Sequence, residues 1–568
     1  DRYAAREAII SDLDKAGQLV RIEDYGHSVG HCQRCQTVVE PMASLQWYVK
    51  IAPLAEPAIA AIKDGSIKIL PERFTKVYLN WMENIRDWCI SRQLWWGHRI
   101  PVWYCRDCHE IIAAVETPAV CSKCGSSNIE QDEDVLDTWF SSGLWPHSTL
   151  GWPDETGDFK YFYPTAVMET GYDILFFWVA RMIMMGIENT GEIPFHTVYL
   201  HGLIRDDKGD KMSKTRGNVV DPLIMMKAYG TDALRFALTT GTSPGADSRL
   251  STEKMEAGRN FANKLWNATR FVLGYIPEGF SYSPEDVTGK TAVEDRWILS
   301  RLNRTVQEVT SLMEDFQFGE AERQIHDFLW GEYCDWYIEL AKIRMQAGDA
   351  SPQPVLLHTL ETALRLLHPF MPFLTEELWQ HVKPFAPHLD TESIMIAPYP
   401  ATDDKMFDAE AEGEIGMVME VIRAIRNLRA QYRVESSQRV EAAIYTDESL
   451  GKVLSGYAPA IRSLAHAEPV TFHAGEPDEA AVNNAAVEPM ARATVVIPMA
   501  SMVDLAAEKK RLEKDLEQTQ NEVNRLETRL YDQTFLTRAP GNIIEKERQK
   551  LYTLKDKVEK LLQQYSRL

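Results

Sequence analysis

A seven-residue repeat governs residues 505–568. Leu505, Leu512, Thr519 and Leu526 recur every seven, and Leu516, Val523 and Leu530 interleave with them at the a/d offset. Ile544, Leu551, Val558 and Tyr565 repeat the device, with Leu554, Leu561 and Leu568 between them. A helix with such a seam has one apolar edge and must bury it against another helix. Pro540-Gly541 falls between the two runs. Proline lacks an amide hydrogen and clashes with the preceding turn, so one continuous helix is excluded. The pattern predicts an antiparallel helical hairpin, a C-terminal coiled coil. Each arm of about 26 residues would run roughly 39 Å.

Charge sets this segment apart. It holds 14 Lys/Arg and 11 Asp/Glu, a net of +3. The 568-residue chain carries −22, which leaves −25 for residues 1–504. An acidic chain is a poor non-specific coat for nucleic acid, but a local basic surface can still bind one. Two readings of the hairpin stand: a solvated coiled-coil surface, or an arm that rests on a polyanion. In the second, Lys509, Lys510, Arg511 and Lys514 at one end are candidate phosphate contacts.

The length predicts three to five domains at roughly 100–200 residues each. With 45% hydrophobic and 25% charged residues, a wholly disordered chain is excluded. No run approaches the roughly 18 apolar residues of a membrane span, and no signal peptide opens the sequence, so a cytoplasmic protein is expected. Residues 1–24 read as a helix followed by a short strand, with Ala4, Ala8, Ile9 and Leu13 on one face and Gly17 as its stop. Ile67–Leu70 and Val77–Leu79 read as strands. Residues 161–240 alternate apolar runs with amphipathic stretches, which favours α/β layering. From about 251 the apolar spacing is helical, and residues 438–500 return to short β-like runs. Trp330, Trp336 and Phe370 read as bundle core rather than stacking platforms. Arg423, Arg426, Arg429 and Arg433 form a rough helical stripe that could meet phosphates.

Six of the eight cysteines come as C-x-x-C pairs. Cys105-x-x-Cys108 and Cys121-x-x-Cys124 are separated by twelve residues, a spacing that suits one tetrahedral Zn2+. With four thiolates the site would be closed to water and structural, stabilising an insert too small to own a core. Cys32-x-x-Cys35 has no partner pair nearby; either His27 and His31 complete a site locally, or its other half lies upstream. Cys89 and Cys334 read as buried thiols.

Residues 209–222 read Gly-Asp-Lys-Met-Ser-Lys-Thr-Arg-Gly-Asn-Val-Val-Asp-Pro. Lys211 and Lys214, with Ser213 and Thr215 between glycines, make a cationic loop able to close over a polyphosphate. A solvated surface turn is the alternative.

Lys211-Met212-Ser213-Lys214-Thr215 resembles the signature loop of class I aminoacyl-tRNA synthetases, with Thr for the usual last Ser. Several runs narrow the resemblance to the bacterial-type valyl-tRNA synthetases: Asp87-Trp88-Cys89-Ile90-Ser91-Arg92-Gln93-Leu94-Trp95-Trp96-Gly97, Asp137-Thr138-Trp139-Phe140-Ser141-Ser142, Thr170-Gly171-Tyr172-Asp173-Ile174-Leu175-Phe176-Phe177-Trp178, and Asn260-Phe261-Ala262-Asn263-Lys264-Leu265-Trp266-Asn267. The hairpin and its Arg538-Ala539-Pro540 turn also resemble that family, and the isoleucyl relative, which tends to end in a zinc module, is the alternative.

The resemblance implies a valine–tRNA ligase using ATP, Mg2+ and Zn2+, with L-valine and tRNA(Val) as partners, monomeric and not membrane-bound. By similarity, Lys211 and Lys214 would stabilise the transferring phosphates, with Ser213 and Thr215 beside them at ATP. Trp139, Ile174 and Trp178 would line the amino-acid pocket, and Asp173 would fix a polar group there. Asp173 and Trp178 lie five apart, off one helical face, so part of that run is expected to be strand end or loop. The implied division is 1–85, edge of an editing insertion with half a zinc knuckle; 86–250, second half of a Rossmann-like catalytic domain with its zinc insert; 251–437, a helical anticodon-binding domain; 438–504, a small α+β region; and 505–568, a coiled-coil tRNA-binding arm. The first class I signature, His-x-Gly-His, is not found; Gly26-His27-Ser28-Val29-Gly30-His31 has the wrong register. The expectation is therefore a C-terminal portion lacking that signature and most of the editing domain. The partner pair of Cys32 and Cys35 would precede the editing insertion. A tRNA-binding remnant without chemistry is the rival reading.

Overall fold

The computed structural model describes the chain except residues 33–34, 41–42, 213–216, 289–291, 503–504, 533–540 and 567–568, and the side chains of 505–511, 542, 563–564 and 566. It divides into two units: residues 1–68, 75–166 and 175–196 form one, and 69–74, 167–174 and 197–568 the other. Among the described residues no helix is long and apolar enough to cross a membrane.

In the first unit the Arg2–Lys15 helix is capped by the Asp1 carboxylate, which accepts from the Tyr3 and Ala4 N–H groups. Gly17 follows its end in the left-handed region, at φ +66°. The helix buries none of its residues, and no strand follows it in 16–24, contrary to the sequence reading. Tyr3, Ile9 and Leu13 stand exposed along it. Ala52–Lys63 packs on Ala180–Thr190; the first buries Ala55, Ala58, Ala61 and Ile62, and the second Ala180, Met182 and Ile183 among others. Residues 77–79 are helical, within Arg73–Glu83, rather than a strand. Tyr78 and Met82, four apart, are its buried residues, so helical spacing prevails over a three-residue apolar run.

Strands Lys68–Leu70, Phe195–His201 and Thr165–Gly171, whose residues 69–70, 197–201 and 167–171 belong to the second unit, lie side by side in that order. The helices that follow include Thr252–Gly274, Val293–Glu314, Pro352–Leu367 and Ala409–Gln431. Phe318–Asp327 continues through a π-helical stretch, Phe328–Tyr337, into Ile338–Gln346. Trp336 and Phe370 are buried in the bundle core, and Trp330 packs against it. The same core extends into a four-stranded sheet ordered Ala467–Ala474, Val440–Thr446, Ala493–Pro498, Ala485–Pro489. Arg429 is a structural residue of this join, not a phosphate contact: it is 7% exposed and donates to the carbonyls of Gln438, His466 and Glu435. Arg426 donates to the Leu464 carbonyl, and both Arg423 and Arg426 lie over the Trp336 ring.

Leu505–Tyr531 and Gly541–Ser566 pack along each other. Arg529 pairs with Glu547, Lys555 with Glu527, and the Tyr565 hydroxyl with Glu513, so the helices run antiparallel. Leu512, Thr519, Val523, Leu526 and Leu561 are buried between them.

Candidate active site

Two strands of two residues each set the base of the signature loop. Ile204–Arg205 pairs in parallel with Ser248–Arg249, and Arg205 bridges antiparallel to Lys211. Between Arg205 and Lys211 the chain turns on Asp206, whose Oδ1 accepts the N–H groups of Lys208 (3.1 Å) and Asp210 (2.7 Å). Asn218 donates to Oδ2 at 2.9 Å and to the Lys211 carbonyl at 3.4 Å, closing the loop at its foot. Asn218 first, and then these backbone donors, hold the Asp206 carboxyl below its usual range.

The Lys211 ammonium lies 3.2 Å from Asp173 Oδ2. Asp173 sits in the 3-10 turn Tyr172–Ile174, just past the Thr165–Gly171 strand. A Cβ on Gly171 would stand 2.9 Å from Asp173 Oδ1, so the glycine leaves room for that carboxylate. Beside this turn, Glu169 and His201 face each other at 3.3 Å on a cleft of about 460 Å3 that Tyr199, Gly202 and Thr242 also line. Ser213, Lys214 and Thr215 lie outside the described residues.

In the first unit, Trp139 belongs to the short helix Thr138–Ser142 and stacks on Phe177 at 6.0 Å between ring centres. Trp178 donates its indole N–H to the Ser142 carbonyl at 2.9 Å. Trp139 and Trp178 thus meet at one short helix, both half-buried. Behind them the Arg181 guanidinium lies 3.9 Å from the Trp88 ring centre, and burial lowers its pKa to about 10. Residues 175–179 form a π-helical turn leading into Ala180–Thr190. The run Asp173–Trp178 is therefore helical throughout, a 3-10 turn and then a π turn, rather than a strand end or loop; the altered pitch accounts for its off-period spacing.

The four thiols of Cys105, Cys108, Cys121 and Cys124 lie within 4.8 Å of one another. Sulfur–sulfur separations are 3.5 Å for Cys105–Cys124 and 3.6 Å for Cys108–Cys121. A zinc tetrahedron with bonds of about 2.3 Å has edges of about 3.8 Å, so the set fits that ion. Two matching turns build it. Cys105 N–H donates to the Glu110 carbonyl and His109 N–H to that of Cys105; Cys121 pairs with Ser126 and Gly125 in the same way. The fourth residue after each first cysteine, His109 (φ +62°) or Gly125 (φ +75°), has positive φ. The N–H groups of Cys124 and then Lys123 pull the Cys121 thiol down to about 7.

Cys32 repeats the turn: its N–H donates to the Thr37 carbonyl, Gln36 N–H donates to that of Cys32, and Gln36 has φ +60°. His31 Nδ1 is engaged by the Gln36 carbonyl at 2.7 Å, and no group of three or more metal-ligating side chains forms there among the described residues.

Three family models match. "tRNA synthetases class I (I, L, M and V)" spans residues 7–251, "Anticodon-binding domain of tRNA ligase" 295–444, and "Valyl tRNA synthetase tRNA binding arm" 504–568. A valine–tRNA ligase of Dehalococcoides mccartyi is 57% identical over 98% of this chain. One of Symbiobacterium thermophilum is 49% identical over 98%.

The chain belongs to the class I tRNA synthetases, in the valyl group.

It spans 63% of the length of each of those two relatives. A solved Mycobacterium tuberculosis methionyl-tRNA synthetase bound by methionyl-adenylate superposes with a TM-score of 0.50 at 20% identity, covering 67% of this chain and 72% of that one; it shares the fold. Of the basic residues singled out on the arm, Lys514 is exposed, while the side chains of Lys509, Lys510 and Arg511 lie outside the described set. Sequence reasoning missed Arg205, Asp206 and Asn218. Asp206 carries a local signal, an aspartate whose carboxylate caps the N–H groups two and four residues on, whereas the bridge of Arg205 to Lys211 is set by folding.

Proposed function

We propose that this chain works in valine–tRNA ligation: ATP-dependent activation of L-valine to valyl-adenylate, then transfer to the 3′-terminal adenosine of tRNA(Val). The observation that carries the reading is the meeting of Lys211 with Asp173 at the foot of the signature loop. The valine carboxylate attacks the α-phosphorus and the bond to pyrophosphate breaks. Lys211 and Lys214 act as point charges that follow the negative charge onto the leaving group, with Ser213 and Thr215 beside it. A bound phosphate competes with Asp173 for Lys211, which frees the carboxylate for a polar group of the substrate. Mg2+ is expected with the nucleotide, and no side chain here is assigned to it.

Trp139, Ile174 and Trp178 form the amino-acid pocket in this reading. Such a wall measures volume and rejects threonine by only about 10²-fold, hence the family's separate editing chemistry. Zn2+ at Cys105, Cys108, Cys121 and Cys124 makes a closed structural knuckle, and the Cys32–Cys35 turn is half of a second one. The division of labour follows the boundaries 1–85, 86–250, 251–437, 438–504 and 505–568: insertion edge, catalytic, anticodon-binding, connecting and coiled-coil arm. A monomer in the cytoplasm is part of the same proposal, and sedimentation velocity tests its oligomeric half.

The test is valine-dependent ATP–pyrophosphate exchange by this chain, with threonine and isoleucine alongside and Lys211→Ala and Lys214→Ala as controls. Filter binding of tRNA(Val) is run on the same preparation. Valine-preferring exchange lost in both variants supports the reading. Binding without exchange replaces it with a tRNA-binding module, and isoleucine preference assigns the chain to the isoleucyl relative.

A further inference from the structure

Asp247 belongs to no motif described above, yet three segments meet at its carboxylate. Oδ1 accepts the Leu203 N–H at 2.8 Å, and Oδ2 lies 2.5 Å from both Nε and Nη2 of Arg205. The third segment is the Tyr172 turn: a Cβ on Gly171, the residue before Tyr172, would stand 3.5 Å from Leu203 Cδ2, and after burial the Asp247 carboxylate is the next cause raising the Tyr172 hydroxyl's pKa. Burial opposes ionisation of Asp247, but the Leu203 N–H, Arg205 and Tyr172 outweigh it and hold the carboxyl below its usual range. The backbones converge as well. Ser248 N–H donates to the Leu203 carbonyl and Leu250 N–H to that of Arg205, both at 3.1 Å. A Cβ on Gly202 would fall 1.8 Å from the Ala246 carbonyl oxygen, so only glycine lets the chain pass against the Ala246–Asp247 peptide.

The segments tied here carry the site. Tyr172 precedes Asp173, and Arg205 bridges Lys211. Two-residue strands are too short to fix register by themselves. A charge-assisted, two-pronged contact, only partly open to water, can do so. The exposures, 34% for the Arg205 side chain and 21% for that of Asp247, meet that condition.

We propose that Asp247 is a positioning residue of the signature loop: it clamps Leu203 and Arg205, the base of the hairpin carrying Lys211, to the Tyr172–Asp173 turn, so that Lys211 meets the nucleotide phosphates from a fixed base. This rests on the reading of Lys211 as a phosphate-binding residue. Asp247→Asn keeps an acceptor for Leu203 but loses the charge that orders Arg205; Asp247→Glu keeps the charge. Hydrogen exchange of the whole chain, read by mass spectrometry with and without ATP, tests both halves. Asp247→Asn raises exchange across 203–211 by about tenfold and leaves Val293–Glu314 unchanged, as expected for local opening. Asp247→Glu recovers part of the protection. ATP slows exchange at 203–211 in the parent chain, and Asp247→Asn shifts that response to higher ATP. Unchanged exchange at 203–211, or a rise equal to that in 293–314, overturns the clamp. A parent chain without any ATP response removes the phosphate role of Lys211, and the positioning half of the proposal falls with it, whatever the clamp does.

Discussion

Lys211 and Asp173, 38 residues apart in sequence, meet at 3.2 Å between Nζ and Oδ2. The side chains are 60% and 37% exposed, so water screens the pair and it adds about 0–1 kcal/mol to stability. Its importance lies in where it holds the lysine. Asp173→Asn is expected to shift the urea midpoint little and to lower the rate of valine-dependent pyrophosphate exchange by an order of magnitude or more. A large stability loss with an unchanged rate would reverse that assignment.

The cysteine cluster gives a second expectation. The chain is expected to bind one Zn2+ at Cys105, Cys108, Cys121 and Cys124, and Cys105→Ser to remove it. The strands around it, Val102–Cys105, Ile111–Ala113 and Ile129–Gln131, bury only Val102, Trp103 and Cys105, so the insert opens to protease while the helical bundle keeps its melting behaviour. Metal analysis and limited proteolysis read the two effects. Retained zinc in the variant would show that the ligands are elsewhere.

Glu322 offers a pH test. Burial pushes its carboxyl up to about 8, and the Thr240 hydroxyl donates to its Oε2 at 2.8 Å. The ordinary value is 4.5. Between those two values the folded chain holds a proton that the unfolded chain has lost, so stability falls as pH rises through that window. Glu322→Gln removes the titration. The stability difference, parent minus variant, should decline between pH 5 and 8 in urea melts; a flat difference refutes the assignment.

Arg344 holds two carboxylates together inside the bundle. It reaches Asp295 at 2.8 Å and Glu294 at 3.2 Å, and Asp295 also accepts from the Tyr337 hydroxyl at 2.7 Å. The Asp295 side chain is wholly buried. Arg344→Met leaves that charge unpaired and should cost about 3–5 kcal/mol in chemical denaturation. A loss below about 1 kcal/mol would mean that Asp295 takes up a proton or water instead.

On the arm, Lys546, Lys550 and Lys557 follow one stripe of Gly541–Ser566. All three are exposed, with no ion-pair partner among the described residues. If the arm rests on tRNA, each Lys→Gln change lowers affinity and reduces the salt slope of binding by about one. An unchanged slope in the triple variant would place the contact elsewhere.

What the sequence determined by itself was whatever repeats within a few residues. The heptads of 505–568, the C-x-x-C turns and the Lys211 loop are legible because helix pitch and turn geometry act between near neighbours. The helical spacing of 293–314 and 352–367 is legible for the same reason. The same rule misled at Val77–Leu79, where three residues are too few to separate the two periods. Only the tertiary structure decided that Arg429 is buried as a join rather than offered to phosphate, since that depends on carbonyls up to 37 residues away. Only it brought Asp247 to Arg205, 42 residues apart, through a glycine at 202 that nothing local demands. Periodicity records which face of an element is apolar; the path of the chain decides which charges and backbones then meet.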